Sequence, residues 1–319
     1  MTRIPSSPAP AGPCAVPAPA GPRAVPAPAD PLVGGAALDA LPVLAGFSFP
    51  VAVVASELDA DGRTRTLIEA GEVDEIFPFA SVTKPIVAWS ALVAVERGLL
   101  DLEAPAGAGT AHGPAGAALP GATVRHLLAH ASGIAFDSDA VLAAPGTRRI
   151  YSNRGIEVLG ELLEEATATP LERWVETTVL EPLGMSSVLV PGSPAHSGEG
   201  SARDLAVFAR ELAAPRLVGA DLAAEATSVA FPGLDGVLPG YGRQAPNDFG
   251  LGVEVRGRKR PHWTGTANSP ATFGHFGQSG SFIWVDPVAR RQAVFLGAQP
   301  FRRAHVTQWP ELSDQILAL

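Results

Sequence analysis

The chain is β-rich at both ends and helix-rich between them, and this order constrains its fold more than any other feature. From Phe47, "FSFPVAVVASELDADGRTRTLIEAG" reads as two β segments around "DADGRT", where Asp-Gly marks the turn of a hairpin. Strand character returns only near the other end, in "FGLGVEVRGR", "SGSFIWVD" and "RQAVFLGA", the last two forming a second hairpin around "PVAR". Between these lie helical patterns: the segment from Ser81, "TVRHLLAHASG" with Thr123 as cap and Gly133 as stop, "GIEVLGELLEEATATPLERWVETTVLEPLGM" and "SARDLAVFARELAAP". An amphipathic "QWPELSDQILAL" closes the chain. The expectation is an α+β fold: an antiparallel sheet flanked by helices, built from residues 37–108 and 245–319 as a sandwich domain. A mainly helical domain over 109–244 is inserted into it, and the cleft between the two is a natural ligand site.

Other segments are read by composition. Residues 1–36 form a Pro/Ala-rich tail that repeats "GPCAVPAPA" (12–20) as "GPRAVPAPA" (21–29). Its prolines remove backbone donors and its alanines bury little, so it is expected to be disordered or extended. Residues 103–122, rich in Gly, Ala and Pro, read as a loop. The net charge of −9 argues against nucleic-acid partners, which need many basic contacts, and the short run "RGRKR" (256–260) reads as a solvated turn. Cys14 is the sole cysteine, which excludes an intrachain disulfide and a cysteine-based metal site. Neither a signal-peptide core nor a membrane-spanning apolar run is evident, so a cytoplasmic location without membrane contact is expected.

Lysine is scarce: of 23 Lys+Arg, only Lys84 and Lys259 are lysines. Arginine cannot give up its proton in a protein whereas a buried lysine can, so Lys84 inside the apolar "FASVTKPIVAWSALVAVERGLL" points to proton transfer. Ser81 lies one helical turn earlier, within reach on the same face. Pro85 is tolerated only in a first turn, which sets the helix start at about Ser81. Tyrosine is as scarce, and Tyr151 sits in "IYSNRG" just before a helix, two residues from Asn153. A phenol can relay a proton if a nearby ammonium lowers its pKa, and an amide can hold both a lysine and a substrate carbonyl. A third candidate, "FGHFGQSGSFIWVDP", brings His275, Phe276, Gly277 and Gln278 to the start of a strand. His126 and His130 have the spacing of a helical zinc pair, but no Glu follows the first, so they read as packing or capping residues and no metal is expected. "HWTG" (262–265) imitates the third candidate without running into a strand, and reads as a loop near the cleft.

Ser-x-x-Lys, Tyr-x-Asn and a basic residue-x-Gly before a strand, in this order, resemble the serine β-lactamase and penicillin-binding-protein superfamily. The similarity is to its class C-like branch, with the Tyr-Ser-Asn type of DD-peptidase and the family VIII carboxylesterases. It spans about residues 45–319 and extends to "TVRHLLAHASGI", "LEPLGM" and "GHFGQSGSFIWVDP". The resemblance implies the β-lactamase-like fold and a cofactor-free serine hydrolase working through an acyl-enzyme. Ser81 would be the nucleophile, Lys84 its proton acceptor, and Tyr151 a base that returns the proton to the leaving group. Asn153 would position Lys84 and substrate, His275 and Gly277 would form the strand edge beside the substrate, and the N–H groups of Ser81 and Gln278 the oxyanion hole. Phe276 stands where relatives that bind carboxylates carry Thr or Ser, and no Glu-x-x-x-Asn segment of the class A type follows, which leaves Tyr151 to activate water. A carboxylesterase for small acyl esters is therefore expected. The alternatives are a β-lactamase, D-amino-acid amidase or DD-peptidase acting on amides and, outside enzymes, a non-catalytic binding protein of the same fold.

Overall fold

In the computed structural model, the described residues are 30–59, 61–106 and 119–319. Most of the expected tail (1–29) and of the Gly/Ala/Pro loop (107–118) lies outside them. Residues 32–36, which the expected tail included, take part in structure: Leu32 bridges Ile68 in parallel, and α1 (Gly34–Ala40) follows at once. The physical reason is compositional, since prolines stop at Pro31 and "LVGGAAL" restores backbone donors and apolar side chains.

Strands β1 (Val51–Leu58) and β2 (Thr64–Gly71) form the expected first hairpin. A short β3 (Phe77–Pro78) leads through a 3-10 turn, Ala80–Val82, into α2 (Thr83–Glu96), so Pro85 occupies the first turn of the α-helix, where its missing N–H costs little. The α2 side chains from Thr83 through Ala94 are all buried, the mark of a helix inside a core rather than on a surface.

The middle of the chain is mainly helical, but more broken than its periodicity suggests. The first segment stops early: α3 is only Val124–Leu128, because His130 adopts a left-handed φ of 52°. The long second pattern divides into α4 (Asn153–Thr167), α5 (Leu171–Val175), a π-turn and α6 (Glu181–Leu183), with Ala168 left-handed and Pro170 ending the first piece. After β4 (Glu199–Gly200), α7 (Ala202–Ala213) starts at its Ser201 cap and packs on the sheet across β1. Next come α8 (Ala220–Ala226) and a small hairpin of β5 (Gly236–Leu238) and β6 (Gly242–Gln244).

The expected strand in "FGLGVEVRGR" shrinks to β7 (Glu254–Val255), paired with β8 (Phe273–Gly277). The second hairpin, β9 (Ser281–Asp286) and β10 (Arg291–Gly297), precedes α9 (Arg303–Leu317), which begins earlier than its amphipathic end implied. Strands from both ends of the chain meet in one antiparallel sheet of order β2-β1-β10-β9-β8-β7. Period-two alternation sorts their side chains into two cores. Val54, Ile283, Val285, Val294 and Leu296 face α2 and the helical middle, while Val53, Phe282, Trp284 and Phe295 face α9 and its Trp309. This is an α+β architecture with helices on both faces of an antiparallel sheet.

Candidate active site

The nucleophile candidate sits on a fixed turn. Ala80 is held at φ 46°, a left-handed conformation that an alanine adopts only when its surroundings enforce it. Its carbonyl accepts from Thr83 Oγ1 (2.6 Å), and Thr83 Oγ1 in turn accepts from Gly198 N–H (2.8 Å). Phe79 N–H donates to Gly198 O (2.7 Å), which pins the 195–198 loop against the start of α2. That loop matters to Lys84: Nζ donates to Ala195 O (2.8 Å), to Asn153 Oδ1 (2.7 Å) and to Ser81 Oγ (3.1 Å). Lys84 is 0% exposed. Burial drives its pKa from 10.5 down to about 7, against a smaller opposing pull from Glu157. A lysine that is half free base near neutrality, hydrogen-bonded to a half-buried serine, has the protonation state that serine activation needs.

Tyr151 and Asn153 flank Ser152, the N-cap of α4, whose Oγ accepts from Gly155 N–H (2.8 Å) and donates to Ala135 O (2.6 Å). This cap fixes both side chains toward Lys84, whose Nζ lies 4.8 Å from the centre of the Tyr151 ring. The phenol, however, is not acidified. Burial raises its pKa well above 10, a hydrogen bond from Ser81 opposes this, and the Glu254 carboxylate raises it further. The expectation that an ammonium lowers it is corrected: at neutral pH Tyr151 keeps its proton and is a neutral donor, whereas Lys84 is the group beside Ser81 with a free-base fraction. His130, beside the Tyr151 ring at 4.7 Å between centroids, accepts from Ser152 N–H (3.3 Å) and is a packing partner that the sequence did not single out for this role.

The two faces of β8 divide the third motif. His275 lies on the helical side, its ring 5.7 Å from that of Tyr151. Its Nδ1 donates to Phe276 O (2.7 Å), which leaves Nε2 without a proton and, among the described residues, without a partner. Burial and then Lys84 lower its pKa to about 4, so the ring is neutral rather than the basic residue that the motif suggested. The Phe276 ring joins the opposite core, packed on Phe301, Tyr241, Trp263 and Trp309. Gly277 is required by close approach: a Cβ there would stand 2.2 Å from Phe79 O and 3.2 Å from Ser81 N. Ser281 Oγ ties the same edge to Phe79 O (2.7 Å). Beyond Gly274, β8 pairs only with β9, so His275–Gly277 is an open strand edge beside Ser81.

Ser81, Tyr151, Asn153, His275, Phe276 and Gln278 thus line one cavity of about 400 Å³ together with Phe136, Phe249 and Glu254; Lys84 lies beneath its floor, and Gly277 packs against Phe79 and Ser81 behind that lining. A larger open groove of about 750 Å³ near Glu72, Glu75 and Gln299 has no comparable nucleophile and base.

Other expectations change. "RGRKR" is only partly a solvated turn, because Lys259 is buried in an ion pair with Glu254 (3.0 Å). Glu254 also accepts from His262 Nε2 (2.9 Å) and Trp263 Nε1 (2.7 Å), so "HWTG" belongs to this buried cluster and Trp263 does not line the cavity. Burial would raise the Glu254 pKa, but Lys259 and His262 reverse this and keep the carboxylate ionised. His126 caps α3, its Nδ1 accepting from Thr123 N–H (3.2 Å), while His130 turns toward Tyr151, so the pair does not converge on a metal. Sequence reading missed the Ala195 carbonyl, for which no side chain signals, and Glu254, whose acid inside the apolar "FGLGVEV" was the available sign.

The Beta-lactamase family model matches residues 60–315. A solved β-lactamase from Mycobacterium bovis is 47% identical, covers 88% of this chain and 98% of its own, and superposes with a TM-score of 0.81. EstCE1, described as a hydrolase with promiscuous acyltransferase activity, is 17% identical over 88% of this chain and 97% of its own; its TM-score of 0.70 shows a shared fold. A provisionally named D-alanyl-D-alanine carboxypeptidase from Salmonella paratyphi B is 30% identical over 201 residues, 49% of this chain and 46% of that protein. The chain thus spans about half the length of the curated relatives it matches. No helix among the described residues is long and apolar enough to cross a membrane.

Proposed function

This chain belongs to the β-lactamase family, and from that premise we propose that it is a serine hydrolase for small, uncharged acyl esters. The observation that carries the reading is Lys84: wholly buried, 3.1 Å from Ser81 Oγ, and lowered by burial to about 7. Ser81 Oγ attacks the ester carbonyl carbon as its proton moves to the free-base Nζ of Lys84. The N–H groups of Ser81 and Gln278 hold the oxyanion, a function worth about 3 kcal/mol per donor. The carbon–oxygen bond to the alcohol then breaks; Tyr151 donates its phenolic proton to the departing oxygen, and the proton held by Lys84 restores the phenol. Water attacks the acyl-Ser81 ester with the same groups in reverse, which releases the acid and regenerates Ser81. Asn153 holds Lys84 and the substrate, and His275 offers Nε2 as an acceptor.

Preference for esters over carboxylate-bearing amides rests on two features. Phe276 brings no hydroxyl and turns its ring into the α9 core, and His275 is neutral, so neither offers a carboxylate the donor or charge it would need. The test is the steady-state rate on p-nitrophenyl butyrate and on nitrocefin, with Ser81→Ala as the blank. Ester turnover well above nitrocefin and lost in the variant is expected; the reverse preference would refute the ester reading.

A further inference from the structure

Exposed large apolar side chains cluster on one side of the cavity. Phe136 (48% exposed), Leu142 (62%) and Val237 (53%) gather there with Ile150 and Pro239 around a groove of about 250 Å³. The groove shares Phe136, Tyr151 and Pro239 with the Ser81 cavity, so the two are continuous, and the Phe136 ring stacks on Tyr151 at 6.1 Å and 26°. Apolar surface collected at a cavity mouth is ligand-binding surface more often than chance.

Its walls are tied by backbone hydrogen bonds. Leu142 N–H donates to Gly133 O (2.8 Å), Ala135 N–H to Ala140 O (2.8 Å), and Val237 lies in the β5–β6 hairpin opposite Arg243. Arg149, also in the lining, turns its guanidinium to the carbonyls of Ala129, Ala230, Phe231 and Asn247, while Arg148 is exposed at the rim. A groove built this way exists before substrate arrives, so an apolar chain can enter it without ordering a loop.

Direction follows from the chemistry. The group that protonates the leaving oxygen must touch it, and the groove opens directly beyond Tyr151. We infer that it holds the alcohol portion of the ester, not the acyl portion, and that Leu142 and Val237 set a preference for esters of unbranched, uncharged alcohols of medium chain length. This rests on the ester reading of Ser81 above. On acylation the alcohol leaves as R–OH, its oxygen having lost the bond to the carbonyl carbon and gained the proton from Tyr151, and R departs along Phe136 and Leu142.

The experiment compares two substrate series on the intact chain, followed by acid release: butyrate esters of methanol, butanol, hexanol and octanol, and methyl esters of acetate through octanoate. With wild type, kcat/KM is expected to rise about threefold per methylene along the alcohol series until the groove is filled. In Leu142→Ser/Val237→Ser this slope flattens while the slope along the acyl series is retained. As a second readout, 1-octanol competes with butyl butyrate in wild type and loses at least tenfold in inhibition in the double variant, whose melting temperature reports its folding. A variant that flattens the acyl series instead, or alters neither slope, overturns the inference. Absence of turnover on every ester by wild type refutes the ester reading itself, and the inference with it.

Discussion

Replacing Asn153 by Asp should move the acid limb of activity to higher pH. The Asn153 amide oxygen accepts from Lys84 Nζ at 2.7 Å, so Asn153→Asp sets a carboxylate at that distance with nearly the same shape. The drop in Lys84 from 10.5 to about 7 corresponds to about 5 kcal/mol against the ammonium form. A unit charge 2.7 Å away returns at least about 1.5 kcal/mol even at the dielectric of water, or about one pH unit, and up to about three pH units at a buried site. The assay is the pH profile of kcat/KM on p-nitrophenyl butyrate, which reports the free enzyme. Wild type should lose activity as pH falls through about 7, tenfold per pH unit below it, because protonated Lys84 cannot accept the Ser81 proton. In Asn153→Asp the limb should rise by one pH unit or more, with activity at pH 7 down about fivefold or more and recovering as pH rises toward 9 and above. A limb that stays in place would refute Lys84 as the base. A wild-type limb above pH 10 would assign that role to Tyr151.

Three further outcomes follow from the same geometry. Lys84→Arg keeps a permanent charge beside Ser81 and should lower kcat/KM at least about a thousandfold at pH 8 with an unchanged far-ultraviolet circular dichroism spectrum. Lys84→Met should show the linkage: between about pH 7 and 10.5 the unfolded wild type binds a proton that the folded chain has shed, so wild-type stability gains on the variant as pH rises through this window and the gain is absent below it, which melting curves at pH 6 and 9.5 measure. Gly277→Ala drives a methyl toward Phe79 O, and a loss of about 1–3 kcal/mol in urea denaturation together with most of the activity is expected; a variant as stable and active as wild type would show that the strand edge yields.

The sequence was most legible where chemistry and local geometry coincide. Ser81 and Lys84 are three residues apart on one turn, and Tyr151 and Asn153 straddle a helix cap, so short-range rules suffice to orient them. The hairpins around "DADGRT" and "PVAR" were readable for the same reason. What stayed hidden depends on burial and distant partners. Tyr151 keeps its proton because it is enclosed and faces Glu254, about a hundred residues later in the chain. Lys259 looks like part of a solvated basic run until Glu254 is seen beside it. Phe276 could be read as opening or blocking a pocket, and only the pleat of β8 shows its ring turned to α9. The spacing of His126 and His130 suggested one helix face, yet the left-handed turn at His130 ends that helix and sends the two rings to different tasks.

The central claim, an acyl-enzyme on Ser81, is tested most directly by intact-mass spectrometry of the chain quenched in acid seconds after mixing with p-nitrophenyl butyrate. The account predicts one added butyryl group, mapped by peptide digestion to the segment holding Ser81 and absent in Ser81→Ala. Butyrate release without any adduct on trapping, or an adduct that persists in Ser81→Ala, would contradict it.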